Sequence, residues 1–288
     1  MIRDLLFAVH ELNSIFRENG VPIFIIAAVR SEVLAVVNRT GEEVGRAVYD
    51  FSFDIDWSSG ERGPSHPLMQ LIKQKIKASE IDVFGRQKNM DPLKTYFDSE
   101  VDGIALSKYI LDATMYRPRD IVRRLGLVKK KSPNEWKFTA ASLHSTFAEY
   151  SSQIWQEVRE ELVPGYTPDE VVALEQSLDG FKRFFFKRNF IERLNQSSNH
   201  RTALKGLIAR HSPENILLDL FRLGVIGNDY QILEKTSSRF RSRWAFRGDA
   251  NLDVEKRMVF HRSLWPHLAL VSDQASRPPA KVGKQPKA

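Results

Sequence analysis

The run Val21-Pro22-Ile23-Phe24-Ile25-Ile26-Ala27-Ala28-Val29 constrains this chain more than any other stretch. It is continuously apolar and does not alternate, the pattern of a strand covered on both faces as in a parallel sheet. Such a strand needs neighbours for its backbone groups and helices for its side chains. Only one further candidate follows nearby, Tyr49 to Trp57, with Phe51, Phe53, Ile55 and Trp57 on one side. Two strands of this kind do not make a stable sheet. Residues 1–57 therefore read as the closing part of a larger doubly wound sheet whose earlier strands lie elsewhere. The competing reading is an antiparallel pairing of the two in a small mixed sheet.

An amphipathic helix precedes the run, with Ile2, Leu5, Leu6, Val9, Leu12, Ile15 and Phe16 at helical spacing and Asn19-Gly20 as its stop. After Gly60, Gly63 and Pro64 the pattern is almost wholly helical. Helices are expected over 65–79, 91–99, 103–114, 118–125 and 138–162, with Lys129 to Asn134 as a polar break. Val163-Pro164-Gly165 ends the long helix. Thr167 then caps a new one, with Pro168 at its first position. The Phe181–Phe190 stretch reads as helix core, with Lys182, Arg183, Lys187 and Arg188 on the other side, against the competing reading of a subunit contact. Two short helices, 201–210 and 213–223, two strand-like stretches, 240–247 and 257–260, and a helix over 262–271 complete the pattern. Helix, helix, basic hairpin is the winged-helix order.

Charge is lopsided along the chain. Residues 1–180 hold 22 Lys/Arg against 27 Asp/Glu, whereas residues 181–288 hold 21 against 9. The basic end suggests an anionic partner, nucleic acid first, against the plain reading of a solvated basic surface. There is no cysteine, which excludes disulfides, thiolate metal sites and a cysteine nucleophile. The longest apolar run is about half of a bilayer crossing. A cytoplasmic protein with no membrane partner is the expectation.

The series of helix 1–20, strand Ile23–Val29, Arg30-Ser31-Glu32, strand Phe51–Trp57, helical region, Tyr116-Arg117-Pro118-Arg119-Asp120 and winged helix resembles the AAA-like P-loop ATPases. Among these it is most similar to the bacterial STAND group. The resemblance implies an α/β remnant of a P-loop ATPase sheet over 1–64 and a mostly α-helical lid over 65–165. It implies a helical linker and winged-helix domain over 166–271, then a disordered basic tail over 272–288. It places the start of this sequence just after the Walker B position. None of the 15 glycines opens a G-x-x-x-x-G-K-[ST] loop, so no row of amides cradles phosphates and no lysine reaches them. ATP and magnesium are expected only when an N-terminal core, on the same or a partner chain, is supplied; the chain alone is not expected to hydrolyse ATP.

Three groups of residues are candidates for function. Arg30, at a strand end where open α/β sheets place ligands, takes the role of a phosphate sensor by resemblance, against a surface pair with Glu32 or Glu42. Arg117 and Arg119 flank a helix-starting proline, and the resemblance implies a second sensor there, Arg119 by choice and Asp120 as cap. Surface ion pairs are the competing reading. Arg239, Arg241, Arg243, Arg247, Lys256 and Arg257 crowd the hairpin among Phe240, Trp244 and Phe246, a workable nucleic-acid surface unless those aromatics are simply the buried side of a strand. Helix 213–223 offers few donors, so backbone contact or protein docking is favoured over base reading. No catalytic or metal motif is complete. The resemblance points to a nucleotide-dependent switch, of a class often linked to anti-phage defence. The rival is a non-enzymatic nucleic-acid-binding or adaptor protein, and an unfamiliar hydrolase ranks last. A homo-oligomer is compatible with either.

Overall fold

The computed structural model describes residues 2–29, 53, 55, 57, 63–233, 238–247 and 251–272. The chain divides into two units, Met1–Asp56 and Trp57–Ala288.

In the first unit, helix α1 (Ile2–Glu18) forms as its periodicity predicts. The apolar run after it does not form a strand. Residues 21–29 have no regular secondary structure and carry no ladder among the described residues. One rung is supplied by a side chain: Asn13 accepts from the Ile25 N–H at 2.8 Å and donates to the Ile25 carbonyl at 2.9 Å. A single amide cannot substitute for a neighbouring strand, and Phe24 and Ile26 remain 78% and 91% exposed. The parallel pairing expected here is thus not seen among the described residues. Most of the candidate strand 49–57, together with Arg30, lies outside them.

The second unit is mostly helical with small antiparallel sheets. Its first core gathers α2 (Pro67–Phe84), α3 (Pro92–Tyr96), the ribbon β1 (Glu100–Val101) and β2 (Ile104–Ala105), α4 (Leu106–Asp112) and α5 (Pro118–Lys131). Leu68, Met69, Ile72, Phe97, Tyr109, Ile110 and Ile121 are buried together there. Helix α5 outruns its expected end by more than a turn. Lys129, Lys130 and Lys131 form its last turn, where cations favour the negative end of the helix dipole. The long helix expected over 138–162 is two, α6 (Ala140–Ser145) and α7 (Phe147–Leu162). They break at Thr146, whose hydroxyl donates to the carbonyls of Ser142 and Leu143.

A second, larger core contains the buried face of α7, the helices α8 (Pro168–Leu178), α9 (Lys187–Ser198), α10 (Thr202–Arg210) and α11 (Pro213–Arg222), and a four-stranded sheet. Thr167 caps α8 with the reciprocal Glu170 bond, and Pro168 opens it, as the sequence predicts. The sheet order is β3 (Phe184–Phe185), β6 (Met258–Phe260), β4 (Ile226–Leu233), β5 (Ser238–Arg243), all antiparallel.

Three further expectations fail in this unit. Phe181–Phe190 is not one helix: the Arg183 N–H donates to Val271 O and its carbonyl accepts from Phe260, so distant strands claim this backbone before α9 begins. Strand 240–247 is shorter at its far end, closing at Arg243 before a 3-10 turn over Ala245–Arg247. Residues 262–271 form no α-helix either. Pro266 cannot donate within it, and Ala269, at φ 46°, closes the short turn with Leu270 N donating to Trp265 O.

The helix, helix, hairpin order is present. Strand β6 pairs on the inner side of β4, however, which leaves β5 at a sheet edge. Gly227 on β4 is where this sheet allows no side chain: a Cβ there would stand 2.5 Å from the Arg243 carbonyl oxygen and 2.6 Å from the Trp244 ring.

Candidate functional site

The start of α5 is built from backbone restrictions. Pro118 occupies its first position and holds Arg117 extended at φ −110°, ψ 131°. Tyr116 before it sits at φ 52°, a left-handed conformation that non-glycine residues seldom adopt. Its neighbours hold it there. The Arg247 guanidinium lies 4.1 Å above the Tyr116 ring, and His66 meets that ring edge-on at 5.2 Å.

From this turn α5 presents two chemically different sides. Outward, Arg117, Arg119 and Arg123 converge on one carboxylate of α7, Glu157, at 3.9, 2.6 and 2.5 Å. Besides Glu157, the buried carboxyl of Asp120 stands 4.0 Å from Arg119 Nε, and Arg119 is 51% exposed. Asp120 does not cap the helix, whose cap position is Arg117. It is fully buried. Burial pushes its pKa up, and Glu157 adds to the shift; Arg117 and Arg119 oppose it.

Inward, one turn on, Arg124 is fully buried as well. Its guanidinium lies 4.3 Å over Phe147, 5.1 Å over Tyr109 and 5.3 Å over Tyr150, and it donates to the Tyr109 hydroxyl at 3.0 Å. Burial lowers its pKa and raises that of Tyr150 well above the ordinary phenol range. Arg124 Nε and Nη1 and the Tyr150 hydroxyl have no hydrogen-bond partner. Neither Arg124 nor Glu157 was singled out by motif, yet the spacing Asp120, Ile121, Arg124, Leu127, Val128 puts both charged residues on the apolar stripe of the helix.

The hairpin distributes its basic residues differently. Arg239, Arg241 and Arg243 occupy alternate positions of β5, opposite Ile232, Tyr230 and Asn228. Arg243 lies 4.7 Å over the Tyr230 ring. Arg257 pairs with the buried carboxylate of Asp229 and stacks 4.9 Å over Phe184. Arg247 faces Asp112 at 3.9 Å besides covering Tyr116. Lys256 is exposed. Helix α11, the nominal reader, turns Ile216, Leu217, Leu220 and Phe221 into the core, and its Arg222 pairs with Asp219 at 3.2 Å.

Trp244 and Phe246 enclose His261 edge-on at 5.0 and 5.5 Å, so these two aromatics are packing groups. Burial first, then Arg247 and Arg117, take the His261 pKa down to about 3. That ring is neutral at any physiological pH. Among the described residues no group of His, Asp and Glu has the arrangement of a metal site, and no helix is long and apolar enough to cross a membrane.

The described architecture is thus a helical module joined to a helical and antiparallel-sheet module, without a complete catalytic constellation among the described residues. Residues 66–159 match the model of a family described as the FunZ-associated C-terminal helical domain. The match spans α2 to the last turn of α7 and contains Tyr116 to Asp120, Arg124 and Glu157. Comparison with curated proteins and with solved structures finds no match.

Proposed function

We propose that this chain is the regulatory C-terminal portion of a larger STAND-like P-loop ATPase, working as a nucleotide-dependent switch in bacterial defence. In this reading Arg117 and Arg119 answer to a phosphate, and the hairpin is the output surface of a winged-helix-type module. The observation that carries the proposal is the convergence of Arg117, Arg119 and Arg123 on Glu157. A phosphate brought to this helix start offers the guanidinium forks a second anion, and the exchange between Glu157 and phosphate is a two-state contact. The name of the matching family, a C-terminal helical domain, agrees with a role beside other domains.

The test is calorimetric titration of Mg-ATP into the chain alone and into the chain reconstituted with an N-terminal P-loop core encoded upstream or by a neighbouring gene. No binding is expected without the core. With it, Arg119→Ala should weaken nucleotide binding or turnover by about tenfold or more, as for other arginines placed on a transferring phosphate. A reconstituted Arg119→Ala protein with unchanged nucleotide response would remove this reading.

The second reading, a nucleic-acid-binding or adaptor protein that never meets nucleotide, draws support from the alternating arginines of an edge strand. It predicts DNA binding that falls steeply with salt and disappears in Arg241→Glu with Arg243→Glu. Binding that ignores both salt and these substitutions would count against it.

A further inference from the structure

A cleft of about 480 Å³ opens between the second half of α2, the end of α5 and the loop after it. That volume falls within the usual range of small-ligand sites, roughly 300–1,000 Å³. Ile76, Val83 and Phe84 of α2 face Val128, Trp136 and Phe138 across it. Their spacing along α2 makes one stripe roughly 12 Å long. Two large groups stay uncovered: Trp136 is 68% exposed and Val83 71%.

The polar lining is unequal in charge. Glu80 is buried, and its carboxylate accepts from the backbone N–H groups of Lys88 and Asn89, the Asn89 side chain and the Tyr96 hydroxyl. Burial alone would push its pKa up, but these bonds outweigh burial and hold it below the ordinary value. Glu80 is therefore an anion already fully engaged. Three lysines also line the cleft. Lys137 is neutralised by Asp98 at 2.8 Å. Lys129 donates to the Glu135 carbonyl at 2.8 Å and has no carboxylate partner among the described residues. Lys75 is exposed and has no carboxylate partner among the described residues. Against these stands one exposed carboxylate, Glu135.

We infer that this cleft binds an amphipathic anion, with an apolar body along Ile76, Phe84, Val128 and Trp136 and a carboxylate head between Lys75 and Lys129. An apolar stripe two helical turns long is short of the 20 to 30 residues a side that a stable protein interface uses, roughly 800 Å² per partner. A small ligand fits it better than a folded partner. Lysines without a carboxylate partner beside an apolar wall select the sign of the head group. The inference stands independently of the proposed function, since no residue is shared between the two sites.

The test uses the full chain and three probes of one length: decanoate, decanol and decylammonium, titrated below their micellar concentrations. Decanoate is expected to bind, and to bind at least about tenfold more tightly than decylammonium, a difference of about 1.4 kcal/mol. Trp136→Ala, a change at an exposed position, should weaken all three. Lys75→Glu with Lys129→Glu should abolish or invert the preference between charged heads while leaving decanol unaffected. Circular dichroism verifies that each variant is folded. Equal affinity for opposite heads, binding that survives Trp136→Ala, or no binding to the folded chain would overturn the assignment. So would a dimer that buries Trp136 and persists in decanoate.

Discussion

The start of α5 and the β4–β5 hairpin both concentrate arginine, but they place it in unlike surroundings. At α5 one guanidinium, Arg124, is enclosed by three aromatic rings, and three more share a single carboxylate. On the hairpin Arg239, Arg241 and Arg243 follow one another along a sheet edge, while Arg247 and Arg257 beyond it face the carboxylates of Asp112 and Asp229. The count of basic residues therefore overstates the charge available to an external anion. What matters is how many of them an internal carboxylate has already claimed.

The largest expected effect tests whether the enclosed arginine stabilises by charge or by volume. Arg124→Ala should cost about 3 kcal/mol or more in urea unfolding, the usual consequence of emptying a core site. Arg124→Met keeps most of the volume and removes two unpaired donors, so it should cost under about 1.5 kcal/mol. Should the methionine variant be as unstable as the alanine one, the ring stacking and the Tyr109 bond dominate instead. On the hairpin side, Gly227→Ala should lose about 1–3 kcal/mol, because the new methyl meets a carbonyl and an indole ring with no room to yield.

A smaller effect separates Asp120 from its surface neighbours. Its pKa is raised in the folded protein, so ionisation costs stability as the pH rises through the folded value. Asp120→Asn should melt higher than the parent at neutral pH, with the gain vanishing once the pH falls below the ordinary carboxyl value of 3.8. A gain that is constant across pH would show that the charge is irrelevant there. Smallest of all, Glu157→Gln should change stability by about 1 kcal/mol, as ion pairs at a partly exposed surface do. It should nevertheless strengthen the binding of pyrophosphate by freeing three guanidinium groups, and weaker binding would argue that Glu157 orients them.

Local signals were the legible ones. Thr167-Pro168 with Glu170 three residues after the cap announces α8, and the stripe of Leu5, Val9, Leu12 and Phe16 announces α1, because caps and helical periodicity are properties of neighbouring residues. Long-range pairing was not legible. Phe181–Phe190 has a helical composition, but Val271 and Phe260 take its backbone hydrogen bonds from more than seventy residues away. The candidate site divides the same way. Pro118 marks the helix start and the arginines beside it, whereas Glu157, which lies 38 positions from Arg119, has no motif to point to it. The burial of Arg124 was in principle readable from its place between Ile121 and Leu127, where a charge on an apolar stripe signals an enclosed cation.

The close fit at Gly227 ties the two arginine regions together. Trp244 rests against that glycine, and the short turn after it carries Arg247 onto Tyr116, whose backbone sets the angle at which α5 departs. A shift of the arginine-bearing edge would therefore be felt at the helix start through Trp244, Phe246 and the Arg247 guanidinium, along the margins of both hydrophobic cores.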